Sequence, residues 1–221
     1  MDVIPLFPLS VLLVPGLVLP LHIFEPRYRQ MVSDLMELPP AEREFGLISL
    51  RRDKEVSRDG VDALVRTGTA ARIDEITDLG GGRSNISTVG TRRFRVIEIF
   101  NTEAYFTANV EWLDEAVSEA SSELATATMR SFHKYTQVLS ANGLPQIDAP
   151  EGLPHDPNLI SYIVATSALF DSREKQELLD LDTTDERLTK SRALLDRERK
   201  IIATIPSLPA SDLADTEVCP N

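Results

Sequence analysis

Among its 221 residues the chain has one cysteine, one tryptophan, three histidines and fewer basic than acidic residues, and each shortage excludes something. Cys219 has no partner in the chain, so no internal disulfide can hold the fold. The chain starts Met1-Asp2 and carries its first cation only at Arg27, unlike a secretory leader, and the two observations together point to the cytoplasm. His22, His133 and His155 fall in unrelated contexts and no G-x-S-x-G segment is present, so no catalytic residue, metal or cofactor is expected. Nor is there a G-x-x-x-x-G-K-[ST] phosphate loop; the glycines at 80–82 have no such lysine and read as a turn. With 35 acidic against 23 basic residues the formal charge is -12, and nucleic acid is not expected as a partner, because such binding leans on phosphate neutralisation.

Long uninterrupted apolar runs are missing too. The most apolar stretch, residues 4–32, is broken by Pro5, Pro8, Pro15 and Pro20, each of which removes a backbone donor and rules out a smooth membrane-spanning helix. Extended chain fits instead: short strands at 3–6 and 17–24, joined by Val14-Pro15-Gly16. Proline confines strands to edges and bulges, which predicts an irregular, barrel-like sheet. Glu25-Pro26 opens a helix that buries Tyr28, Met31, Val32 and Leu35 on one face and stops before Pro39-Pro40. A strand at 45–50 and a polar excursion at 51–60 follow.

Residues 63–79 and 84–100 form a predicted hairpin around Gly80-Gly81-Gly82. The two arms echo each other in Gly68-Thr69-Ala70-Ala71-Arg72 and Gly90-Thr91-Arg92-Arg93-Phe94, and glycine inside a strand marks a bulge or bend of the kind that closes small barrels. One more strand at 105–113 alternates Phe106, Ala108, Val110 and Trp112 on one face. Beyond Ala116 only helical signals remain. Helices are expected at 119–142, from Asp156-Pro157 through Phe170, after Asp171-Ser172, and at 184–205 behind a Thr183/Glu186 capping box. The organisation is therefore α+β: a β-rich part at 1–116 with one helix near 26–38, a helical part at 117–206, and a tail at 207–221.

Three groups are candidate protein-binding residues. Leu12, Leu13 and Val14 belong to an apolar run longer than a narrow edge strand should bury, so part of it is expected to be exposed for a partner. Two roles are open to Arg27 and Tyr28: a structural one, with Arg27 pairing back to Glu25, or the polar rim of a groove between sheet and helix. Arg93 and Arg95 share a strand face opposite to Arg92, as solvated charges or as receivers of an acidic partner or phosphates.

The ordered series Pro5-Leu6-Phe7-Pro8-Leu9, Pro15-Gly16, Leu19-Pro20-Leu21, His22-Ile23-Phe24-Glu25-Pro26-Arg27-Tyr28, the two glycine motifs, Lys175-Gln176-Glu177-Leu178-Leu179 and Asp185-Glu186-Arg187-Leu188 resembles the N-terminal, substrate-binding domain of the Lon protease family. The opening is similar to the version in stand-alone Lon-domain proteins. This resemblance implies a PUA-like β pseudo-barrel followed by a helical bundle, without the ATPase and Ser-Lys peptidase of full Lon proteases. It also implies a non-catalytic interaction module for unfolded or degron-bearing polypeptides, or for a protease component, acting as a monomer or weak homodimer. The alternative is a nucleic-acid or small-ligand binder, as PUA-like barrels can be.

Overall fold

The computed structural model describes residues 2–49, 64–101, 104–145, 147 and 155–204. Six strands come first: β1 (Asp2–Leu9), β2 (Val18–Ile23), β3 (Glu44–Ser49), β4 (Thr67–Gly80), β5 (Arg83–Phe100) and β6 (Thr107–Trp112). One α-helix, α1 (Pro26–Met36), and a 3-10 turn at Pro40–Glu42 interrupt them, and four α-helices follow: α2 (Ser121–Ala141), α3 (Pro157–Ser167), α4 (Ser172–Asp180) and α5 (Thr184–Thr204). The expected α+β class is therefore the observed one. No described helix is long and apolar enough to cross a membrane. The excursion at 51–60 and the tail at 207–221 lie outside the described residues.

The strand order is β2-β5-β4-β3-β1-β6, and β6 also pairs with β5, so the sheet closes on itself. Only β1 and β3 run parallel; the other pairings are antiparallel. Strand β5 makes this closure by being long. Its first half pairs with β2 and β4, and its second half, from Phe94 to Phe100, pairs with β6. Register shifts between Thr69 and Ala71, Ile73 and Glu75, and Asp78 and Gly80 supply the bends.

The barrel encloses two apolar layers. Helix α1 plugs one end, with Tyr28, Met31, Val32 and Leu35 against Phe7, Phe45, Leu47, Ile73 and Ile86. Leu6, Ile48, Phe94, Val96, Ala108 and Val110 fill the other end. A separate core, built on Phe132, Tyr135, Leu139, Val164, Leu178, Leu188 and Leu195, holds the four later helices together.

The helix starts follow their caps. Asn158 N–H donates to Asp156 Oδ1 at 2.9 Å, Asp171 and Glu174 form a reciprocal capping box, and Glu186 N–H donates to Thr183 Oγ1 at 3.2 Å. Helix α3 stops at Ser167, short of the expected Phe170. Ala168 turns extended there, and the next free donor, Leu169 N–H, is taken by the Tyr135 hydroxyl at 3.1 Å.

Candidate functional site

Within the apolar run at 11–14, Leu13 and Val14 are not the exposed surface expected of them. Leu13 and Val14 are 3% and 1% exposed, Leu12 is half-buried, and Val11 is exposed. Val14 packs with Tyr162 and Leu179, against which Leu12 also leans, while Leu13 joins the core around α1. The cause is a backbone tie. Gly16 N–H donates to Gly90 O at 2.8 Å and Gly90 N–H donates to Leu17 O at 2.9 Å, which draws the loop onto β5. A Cβ at Gly90 would stand 2.2 Å from Val14 O, so glycine is required for that approach. The run joins sheet to helices.

Arg93 also departs from expectation, being fully buried at 0% exposure. The face of β5 that it shares with Arg95 is covered by the turn between α4 and α5. Arg93 Nη1 donates to the carbonyls of Leu179 (2.8 Å) and Leu181 (2.5 Å), and Nη2 to that of Asp182 (3.3 Å). Its Nε donates to Glu115 Oε1 at 2.7 Å. The same carboxylate accepts from Tyr162 OH at 2.5 Å and from Arg187 Nη2 at 2.9 Å, and Arg187 too is 0% exposed. Burial pushes the Tyr162 hydroxyl far above the ordinary tyrosine range and pulls Arg187 below its usual value. Two arginines on one carboxylate are tolerable inside because carbonyls and hydroxyls take their remaining protons. This cluster pins strand β5 to the helices, and neither a protein nor a phosphate can reach Arg93.

The other arginines are engaged one by one. Arg95 bonds to Asp182 and Glu111 at 3.3 and 3.7 Å, while Arg92 lies 3.4 Å over the Trp112 ring and 3.5 Å from Glu44. Arg92, Arg93 and Arg95 therefore do not form one basic face.

Arg27 and Tyr28, in contrast, border a hollow of about 430 Å³. One wall is the end of β1, from Phe7 to Ser10; the other is β2 and its exit, from Pro20 through Phe24. Tyr28 forms the floor, stacked on Phe7 with ring centroids 4.0 Å apart, and burial raises its hydroxyl pKa. Arg27 sits 4.5 Å above the Tyr28 ring and holds Glu25 at 2.8 Å, so the two charges at this end cancel. His22 Nδ1 is 2.8 Å from Asn85 Oδ1, and its ring stacks with Phe24, which is 57% exposed.

A larger hollow, about 900 Å³, runs along the outer face of α2 past Met129, Arg130, His133 and His155. Its lining holds no carboxylate among the described residues. Among the described residues no three His, Cys, Asp or Glu side chains converge to hold a metal.

A family model matches residues 3–197, nearly the whole of this architecture: the ATP-dependent protease La (LON) substrate-binding domain. The chain belongs to that family. Among curated relatives, Lon protease 1 of Herpetosiphon aurantiacus is 26% identical over 195 residues, covering 85% of this chain and 23% of its own length. Lon protease 2 of Myxococcus xanthus is 25% identical, covering 91% of this chain and 24% of its own length. The chain thus spans about a quarter of the length of the curated relatives it matches. Two solved structures share the fold. A Lon N-terminal domain protein from Xanthomonas campestris matches with TM-score 0.58 and 24% identity, over 93% of this chain and 100% of its own. The N-terminal domain of Mycobacterium avium complex Lon protease matches with TM-score 0.65 and 16% identity, over 88% and 98%. The matched part of the family is the substrate-binding domain.

In this Lon-type domain, then, the structure brings Arg27 and Tyr28 to a groove whose lining includes none of Leu12, Leu13, Val14, Arg93 and Arg95. Sequence reasoning missed the Arg93, Glu115, Tyr162 and Arg187 cluster. It also passed over Phe24, although an aromatic directly before a helix start, out of phase with buried Leu21 and Ile23, was a usable signal.

Proposed function

We propose that this Lon-type domain holds polypeptides, whether unfolded or degron-bearing clients or a protease component, in the groove between β1, β2 and α1, and performs no chemistry of its own. The observation that carries the reading is the apolar outer row of β2 at the groove mouth. Pro20 and Phe24 are exposed in the groove wall, beside a floor of Phe7 and Tyr28, and exposed Val18 lies on the same strand outside the lining. Its family's substrate-binding role supports the same assignment. The domain is proposed to work in the cytoplasm as a monomer or weak homodimer. The nucleic-acid alternative has no comparable support, since Arg93 is buried and Arg92 and Arg95 are paired.

Size sets the strength of such binding. Two or three side chains in a groove of this volume remove about 200 Å² of apolar surface, about 5 kcal/mol at 25 cal/mol per Å². Association costs at least about 4 kcal/mol. Side-chain burial alone therefore gives weak binding, and backbone hydrogen bonds or several sites in an assembly must add to it.

The test is fluorescence anisotropy with a reduced, carboxymethylated polypeptide against the wild type and Phe24→Asp. A loss of fivefold or more in affinity, with an unchanged thermal midpoint, supports the groove; equal affinity of the two proteins removes it.

A further inference from the structure

Around the end of the barrel that encloses α1, the strands run β2, β5, β4, β3, β1, and there the ring stops. Strand β6 reaches β1 only at Asp2 to Pro5, followed by one bond from Leu6 N–H to Phe106 O at 2.7 Å. Strand β2 pairs with β5 alone among the described residues. The groove is the interval between β1 and β2.

We propose that this interval takes an extended, uncharged polypeptide segment as an added strand, paired to the free edge of β2 and closing the barrel. The inference rests on the polypeptide-binding reading above and specifies how the chain is held.

Backbone direction makes the case. Gly90 N–H donates to Leu17 O, and Val18 stands opposite Val89, so antiparallel alternation turns the backbone groups of Leu19, Leu21 and Ile23 toward β5. The Thr88 hydroxyl bonded to Leu19 O at 2.8 Å agrees with that direction. The backbone groups of Val18, Pro20 and His22 consequently face the interval. On β1, Leu6 faces β6, so Pro8 is the next residue to face the same way. Pro8 and Pro20 therefore stand where each strand would donate to the other, and neither has an N–H. Their absence keeps β1 and β2 from zipping together, yet it leaves the Pro20 and His22 carbonyls and the Val18 and His22 N–H groups for a third strand.

Charge selects the occupant. Strand β2 carries no Asp, Glu, Lys or Arg over Val18–Ile23, and the Glu25–Arg27 pair neutralises itself at 2.8 Å. In a chain of formal charge -12, this neutral interval suits an uncharged main chain with alternate apolar side chains over Phe7, Leu21 and Tyr28. A charged ligand would find a counter-charge there only by breaking the Glu25–Arg27 pair.

Amide hydrogen exchange by NMR tests it, using a nine-residue peptide of alternating valine and threonine with a lysine at each end. A second probe is the reduced, carboxymethylated polypeptide. The expected result is at least tenfold slower exchange at Val18 and His22 on addition of either probe. Alternate N-methylation of the peptide and His22→Pro should each abolish the effect, while His22→Ala keeps it. Binding without slowed exchange at these two amides, or equal binding of the N-methylated peptide, overturns strand pairing and leaves the polypeptide reading standing. Failure of both probes to bind removes both. Slowed exchange that rises with protein concentration in the absence of any probe assigns the interval to a second copy of the chain and overturns the proposal.

Discussion

Arg93 on β5 and Glu115 beyond β6 are joined at 2.7 Å, with the arginine wholly buried and the carboxylate 23% exposed. That single carboxylate also holds Arg187 and Tyr162, so it connects the barrel to two of the later helices. Replacing Glu115 by alanine leaves two buried guanidinium groups without an anion. The expected cost is about 3 kcal/mol, the lower end of the range for breaking a buried pair because the carboxylate is partly wetted. Urea unfolding followed by circular dichroism checks it.

Two glycines separate steric need from turn preference. Gly90→Ala puts a methyl 2.2 Å from a backbone oxygen of the 14–17 turn, and should cost more than about 3 kcal/mol and loosen the loop. Gly81→Ala, with φ near +62° but nothing within 4 Å, should cost about 1 kcal/mol. Comparing thermal midpoints of the two variants measures the difference directly.

An acid-sensitive contact lies at the start of α5. Hydroxyls of Ser118 and Ser121 both donate to Asp185, which holds its carboxyl below the ordinary value of 3.8. A lowered folded value means the folded state favours the ionised form. The resulting stability is present above pH 3.8 and is lost as pH falls through the lower folded value. Asp185→Asn should therefore lower stability at neutral pH and flatten its fall below about pH 4. Urea midpoints measured between pH 2 and 7 give the profile.

How much of this was legible beforehand depended on distance along the chain. Caps such as Asp156-Pro157 and Thr183/Glu186 declare themselves within four residues, and the glycine triplet marks its own hairpin, so most elements could be placed. Leu13 and Val14 could not be sorted into core or surface, because Tyr162 and Leu179, which cover Val14, lie far downstream. Arg93 was hidden for the same reason. A charged strand residue reads as solvated until the carbonyls of Leu179, Leu181 and Asp182, some 86 to 89 positions away, are brought over it. The groove was legible in part: the polar cluster at Glu25 to Tyr28 could be named as a rim, while the unpaired edges of β1 and β2 needed the register.

The difference between core and groove is itself testable. Leu13→Asp should unfold the domain, since a buried carboxylate without a partner is not tolerated, whereas Phe24→Asp should shift the thermal midpoint by no more than about 2 °C. Differential scanning calorimetry distinguishes them.

Central to everything above is the place where a polypeptide lies. Backbone amide chemical-shift mapping of the intact chain, titrated with reduced, carboxymethylated polypeptide, measures it. The expected result is a contiguous set of shifts at residues 7–10 and 18–28. Shifts confined to the outer face of α2 at 122–137, or none at saturating polypeptide, would contradict it.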